Sequence, residues 1–186
     1  MHYPVVNKNG DVIASAVTNL DLHDISRAAK TYGVKCFYVV TPLEDQKELV
    51  EKIVSHWTRG GGSIYNPIRC EALKLVQIKN SFEQVTEHIQ KMGQGTPKTV
   101  VTCARSGNRS IGYDRFREML KRGTPYLLSF GTAWGLSEEF IANADYVLDP
   151  IKGNTDYNHL SVRCAAGIIL DRLLGVREVR EVRSEK

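Results

Sequence analysis

Three short stretches of this 186-residue chain follow an apolar run with glycine, proline and polar residues in close succession. "KTVVTCA" (98–104) leads into "RSGNRS", where Arg105 and Arg109 flank Gly107. "PYLLSFG" (125–131) leads into Thr132, Ala133, Trp134, Gly135 and Leu136. "DYVLDP" (145–150) leads into Ile151 and a polar loop that ends in "YNHLSVR". Glycine lets a backbone N–H or C=O approach a flat ligand closely, and Pro150 fixes a carbonyl direction while removing a donor. Backbone-lined binding of a planar molecule is the chemistry this spacing offers. The plainer reading of Gly131 and Gly135 is a tight turn. Other chemistries lack their residues: no GxxxxGK[ST] or GxGxxG follows a strand, and no GxSxG presents a serine nucleophile. The five histidines are scattered, without metal spacing, so no metal is expected.

The elements that must present these stretches alternate along the chain. "VKCFYVVTP" (34–42) is β-branched and aromatic and predicts a strand. Leu49, Val50, Ile53, Val54 and Trp57 make one stripe and predict a helix over 43–57. "EALKLVQIK" (71–79) reads as a further strand, and 81–92 as a helix capped by Ser81 and closing near Gly93. Strand 98–104, helix 112–123, strand 125–131, a short acidic helix within 136–144 and strand 145–150 follow. The last helix, 160–174, is apolar over more than half its circumference, which predicts burial against a sheet or a second subunit. The alternation predicts an α/β fold, a parallel sheet covered by helices on both faces, in one domain spanning 1–186. Such sheets take ligands outside the carboxyl ends of their strands. Two long loops, 58–69 and 149–159, stand out as functional or mobile, and the tail 176–186, valine alternating with charge, reads as solvated.

Hydrophobic residues at 42% and charged residues at 25% are ordinary for a globular chain. A net charge of +4 admits a nucleic-acid partner without requiring one. Cys36, Cys70, Cys103 and Cys164 form no CxxC pair and suit free thiols in a reducing compartment. No signal-like or membrane-spanning stretch is present, so a cytoplasmic protein without a membrane partner is expected.

Three segments carry a resemblance. "TNLDLHDISRAAKTYG" (18–33) is similar, without gaps, to an Asn-Pro-Gly-Asn-Ile-Gly-x-Ile-x-Arg motif that closes on an aromatic and Gly. Arg27 falls on its arginine and Tyr32–Gly33 on its Phe–Gly. "LLSFGTAWGLSEE" (127–139) resembles an apolar strand followed by Phe-Gly and Gly-Leu-Ser, and "NHLSVRCAAGIILDRL" (158–173) resembles Asn-x-Ser-Val-x-x-Ala leading into an apolar helix. In this order, over 18–174, they resemble the SPOUT (α/β-knot) superfamily of S-adenosylmethionine-dependent RNA methyltransferases. The resemblance is nearest to a stand-alone bacterial branch related to the guanine-N1 tRNA methyltransferases.

That resemblance implies a Rossmann-like fold with a deep C-terminal trefoil knot, and a homodimer with its active site at the subunit interface. It implies S-adenosylmethionine held mostly by backbone groups of three loops: Thr102; Phe130, Gly131, Thr132 and Gly135; Pro150, Ile151, Asn158, Leu160 and Ser161. It implies an RNA partner (tRNA or rRNA) and puts Arg27 on the first motif's arginine. Beside it the residues offer Asp21, His23 and Asp24 as candidate proton acceptors, so that Arg27, Asp21 and Asp24 form the candidate catalytic set, and Arg59, Arg69, Arg105 and Arg109 as candidate RNA backbone contacts. Each has a plainer reading. Ser161 suits a helix cap, Arg27 an ion pair with Asp24 or a contact to His23, the acids and His23 a solvated helix start, and the arginines an ordinary surface. Asp21 stands where 2′-O-methyltransferases carry asparagine, and Asn158 and His159 compete for the third motif's asparagine, which leaves the acceptor atom open. Two rivals remain: a non-catalytic RNA-binding or ribosome-assembly module that retains the fold, and a generic nucleotide-binding α/β protein.

Overall fold

The computed structural model describes residues 1–104 and 110–176. Strands β1 (Val5–Val6) and β2 (Val12–Ile13) form an antiparallel hairpin that sequence periodicity did not announce. Its turn is closed by the Asn7 side-chain oxygen, which accepts from the amides of Asn9 and Asp11. Helix α1 (Asn19–Thr31) starts where the Thr18 hydroxyl accepts from the Asp21 amide. It leads to β3 (Phe37–Val40) and α2 (Glu44–Thr58).

The stretch expected as a loop then folds into two short helices, α3 (Gly61–Tyr65) and α4 (Pro67–Leu73). The reason is local. The Asn66 side chain accepts from the Arg69 amide at 2.9 Å, and Pro67 occupies the first turn, where its missing N–H costs nothing. Helix α4 therefore takes 71–73 from the expected strand and leaves β4 as Val76–Lys79. Helix α5 (Phe82–Lys91), with its Ser81 cap as expected, precedes β5 (Lys98–Thr102) and β6 (Ser110–Ile111). Then come α6 (Tyr113–Leu120), β7 (Tyr126–Ser129), α7 (Glu138–Ala142), β8 (Tyr146–Leu148) and α8 (Val162–Leu174).

The expected single parallel sheet is instead two parallel blocks: β6-β8-β5-β7, and the pair β3-β4. Residues 1 and 2 lace them together. The His2 amide donates to Val40 O at 2.9 Å, at the end of β3. The terminal ammonium donates to Phe130 O at 2.8 Å and the Thr132 amide to Met1 O at 3.3 Å, at the end of β7.

Both faces of the larger block are covered. Val100, Ile111 and Leu148 pack with Phe116 of α6 and with Ile169 and Leu173 of α8. Val101, one residue on and so on the opposite face, packs with Val5, Leu136 and the α7 residues Phe140 and Ile141. A second core of Val17, Leu22, Val39, Val50, Ala72 and Leu73 joins α1, α2 and α4 to the smaller block.

Ala166, Ile169, Leu170 and Leu173 of α8 are buried within this one chain, against α1, α6 and the sheet. The apolar circumference that suggested a partner is thus largely filled internally, leaving Leu174 exposed. Strand β8 follows β5 and β6 in sequence yet pairs with both, filling the slot between them. The tail 177–186 and the loop bearing Arg105 and Arg109 lie outside the described residues.

His2 is 6% exposed, with Nδ1 3.1 Å from the Ser15 hydroxyl. Burial, then the neighbouring Met1 ammonium, pulls its imidazole down to about 4 against the opposing pull of Asp21. The folded state thus refuses a proton that the unfolded chain accepts below 6.5, so stability is full above that pH and is lost as pH falls towards 4. The terminal ammonium, pulled to about 5 by burial, adds a loss between pH 8 and 5. Urea midpoints for the parent and for His2→Gln at pH 7.5 and pH 5 should differ in slope. The variant should lack about 2 kcal/mol of the parent's acid-side loss. Equal slopes would remove His2 as the cause.

Candidate functional site

The parallel ladder decides where the three stretches meet. Val101 is in register with Ser129, and Thr102 with Leu148, so β7 and β8 end on either side of the end of β5. All three loops leave the same edge. Side chains then tie them together. The Thr102 hydroxyl donates to Ser129 O at 3.1 Å, and the Asn158 amide donates to Ala104 O at 3.0 Å. The Asp149 amide donates to Ile111 O at 3.0 Å, while its carboxylate accepts from the Ser110 hydroxyl.

Within 130–136 both glycines shape the loop itself. A Cβ on Gly131 would lie 2.5 Å from the Leu136 nitrogen and 2.8 Å from the Gly135 carbonyl carbon. Gly135 has φ +109°, and its amide donates to Thr132 O at 2.9 Å. The tight-turn reading of these glycines therefore holds. The Thr132 hydroxyl faces inward, 2.5 Å from the Ser15 hydroxyl and 3.2 Å from Met1 O. The ring of Trp134 stays 68% exposed and Leu160 43% exposed, while Pro150 is buried and Ile151 joins the core beside α8. Ser161 caps α8, accepting from the Cys164 amide at 3.3 Å, so its cap role stands.

The first-motif acids have a partner that sequence reasoning missed. Arg163 Nη1 lies 3.5 Å from Asp21 and its Nε 3.5 Å from Asp24. Arg163 is the second residue of α8, where the helix dipole disfavours a cation. A positive side chain at a helix start was the available signal. With Asp24 committed there, Arg27 is exposed and has no ion-pair partner among the described residues. Asp21 also exerts its field on the Met1 ammonium and on His2, whose neighbour Ser15 meets Thr132. The start of α1 and the 130–136 loop are thus joined through residues 1, 2 and 15.

A second cluster lies where α1, α2 and α4 meet. The Arg69 guanidinium stacks 4.5 Å above the Trp57 ring, and His23 meets the same ring edge-on at 5.3 Å. Neither His23 Nδ1 nor Arg69 Nε, both buried, has a hydrogen-bond partner. Burial first, then Arg69, push the His23 imidazole down against the pull of Asp24, with Arg27 adding to the push. Arg59 points elsewhere, into a recess of about 460 Å³ shared with Glu51, Val54 and β4. None of that recess's lining residues comes from the three strand-end loops. Among the described residues no group of His, Cys, Asp or Glu is placed to hold a metal, and no helix is long and apolar enough to cross a membrane.

A family model described as SAM-dependent RNA methyltransferase matches residues 1–175. The chain is similar to the "tRNA (guanine-N(1)-)-methyltransferase" of Oleidesulfovibrio alaskensis, 44% identical over 175 residues, covering 94% of this chain and 41% of that protein. It therefore spans about two fifths of the length of that relative. It is also similar to a protein of Aquifex aeolicus, 38% identical over 174 residues, covering 93% of this chain and 85% of that one. Among solved structures it resembles the SpoU methyltransferase AviRb from Streptomyces viridochromogenes in complex with AdoMet. The TM-score is 0.54 at 19% identity, over 86% of this chain and 56% of that one. At that identity the likeness is one of fold.

The two glycines of the 130–136 loop should respond differently to substitution. Gly131→Ala drives a Cβ into backbone and should cost at least about 2 kcal/mol. Gly135→Ala meets open space and carries only the strain of its positive φ, about 1–2 kcal/mol. Thermal denaturation of both variants checks the order; Gly131→Ala melting with the parent would mean the loop is not built this way.

Proposed function

The chain belongs to the SAM-dependent RNA methyltransferase family, and from that premise we propose that it methylates RNA, with tRNA the first substrate class to test. The observation that carries the reading is the register of β5 with β7 and β8, which brings three glycine- or proline-marked loops to one sheet edge. The residues there suit S-adenosylmethionine. Uncovered apolar groups of Trp134 and Leu160 suit a flat adenine, and the close turn at Gly131 and Gly135 presents backbone rather than side chains. In this reading Thr102, Phe130, Gly131, Thr132 and Gly135 line one side of the cofactor, and Pro150, Ile151, Asn158, Leu160 and Ser161 the other. Bound there, the cofactor supplies a methyl group activated by its sulfonium.

The protein's own work is positioning and one proton. Arg27, exposed and unpaired among the described residues, is the group for an RNA phosphate or the target nucleotide. Asp21 and Asp24, read from sequence as proton acceptors, are held by Arg163. With both carboxylates turned to one guanidinium, we give them the role of fixing Arg163 between α1 and α8.

We propose the trefoil knot as well; β8 pairs between β5 and β6, both earlier in the chain, a strand order in which such a knot can form. We also propose a homodimer, with Leu20 and Leu174 as exposed apolar groups near the helix ends that would meet a partner. The whole chain acts as one methyltransferase domain in the cytoplasm. Guanine N1 is not carried over from the Oleidesulfovibrio relative, because its name describes a protein more than twice as long as the matched region.

Transfer of labelled methyl from S-adenosylmethionine into total host RNA tests the proposal, with calorimetry for cofactor binding. Arg27→Ala should keep cofactor affinity within about twofold and cut transfer by roughly two orders of magnitude, and lysine should rescue only in part. Normal transfer by Arg27→Ala would make Arg27 a surface residue. A parent that binds the cofactor yet methylates no RNA would favour the ribosome-assembly module instead.

A further inference from the structure

Between Glu51 and Glu71 the chain contains no acidic residue, while it contains Lys52, His56, Arg59 and Arg69. This is the segment that folds into the end of α2, α3 and α4. Its outer face carries Ile64, Tyr65 and Ile68, 85%, 84% and 86% exposed. Three large apolar side chains this bare, within five residues of one another, are not explained by the fold. They contribute to none of its three cores.

The support beneath them is rigid. Gly62 is packed so tightly on Trp57 that a Cβ there would lie 2.7 Å from Cε3 of the indole. Trp57 in turn lies beneath the Arg69 guanidinium, whose Nε is unpartnered, and against His23, which feels the charge of both Arg69 and Arg27. Glu71, the one acid on α4, is paired with Lys30 and Lys74, so an apolar and aromatic crest beside Arg69 is chemically matched to a polyanion with flat rings. A lipid surface would need a deeper apolar face than two isoleucines and one tyrosine provide.

We propose that the crest of α3 and α4 is a platform for an unpaired stretch of the RNA substrate, with a base stacked on Tyr65 and phosphates on Arg27 and Arg69. This rests on the RNA methyltransferase reading and extends it, because it specifies single-stranded rather than duplex recognition and names the stacking residue. Stacking on an exposed aromatic is tolerant of sequence, and the phosphate contacts make binding fall with salt.

Fluorescence anisotropy of the full chain with a labelled 12-nucleotide unpaired RNA, and with a duplex of equal length, tests it. Tyr65→Ala should weaken binding of the unpaired RNA by about tenfold and of the duplex by less than twofold. Tyr65→Phe, which keeps the ring, should stay within about twofold of the parent for both, and calorimetric cofactor binding should not move in either variant. If the parent binds RNA and Tyr65→Ala binds it equally well, the platform is wrong while the methyltransferase reading stands. If Tyr65→Ala instead converts a sedimenting dimer to monomer, the crest belongs to a second copy and the platform is again overturned. A parent that binds S-adenosylmethionine and no RNA of either form overturns the platform together with the RNA reading beneath it.

Discussion

The parallel ladder that β5 makes with β8 on one side and β7 on the other is the interaction on which the rest of the molecule depends. Parallel strands cannot be joined by tight hairpins, so every connection crosses over a face of the sheet and every carboxyl end points the same way. Here that constraint is tightened because β8 enters last, into a slot whose walls, β5 and β6, are earlier in the chain. A one-residue slip of β8 would turn Leu148 out of the core it shares with Val100 and Ile169. The same slip would separate Thr102 from the end of β8, and with it the loops on either side. Core packing and site assembly are set by one register.

The charged contacts at the start of α8 act differently. Asp21, Asp24 and Arg163 are partly solvated and sit at 3.5 Å, a regime where an ion pair is worth about 1 kcal/mol or less. They do not hold the fold. What they do is fix the direction of a guanidinium that its own helix disfavours, and tie the first turn of α1 to the end of the 149–161 loop. Met1, His2 and Ser15 make a second tie from the same region to Thr132. That second tie is made of hydrogen bonds among partly buried groups around buried His2.

The alternation of strands and helices was legible in the sequence from residue 34 onward, because strands buried on both faces read as continuous apolar runs and their helices as stripes. Ser81, Ser161 and the turn glycines were legible for the same local reason. The hairpin β1-β2 was not, since two-residue strands have no measurable period. Helices α3 and α4 were hidden by glycines and a proline that usually mark loops. Here Pro67 starts a helix, and Gly62 permits close packing on Trp57 rather than a bend. The division into two blocks was also illegible, because it depends on which strands pair across the chain, and no local pattern of apolar runs sets that pairing. Arg163 lay inside a quoted motif, but its partners are more than a hundred residues away, and no local spacing encodes such a pair.

These features together divide the labour between backbone and side chains. In the 130–136 loop the close approaches are made by backbone: Gly131 against Leu136 and Gly135 onto Thr132. A site of that kind is shaped by chain path, so its residue identities can vary as long as the turns survive. Exposed Arg27 and Tyr65 lie instead on α1 and α3, on the side of the smaller block. A group-transfer protein needs one partner held in fixed geometry and another that comes and goes as a large polyanion. On the function proposed above, the larger block, with both sheet faces covered, meets the first need. On the same reading the smaller block, with Ile64, Tyr65 and Ile68 exposed on α3 and α4, meets the second, and residues 1 and 2 join the two blocks.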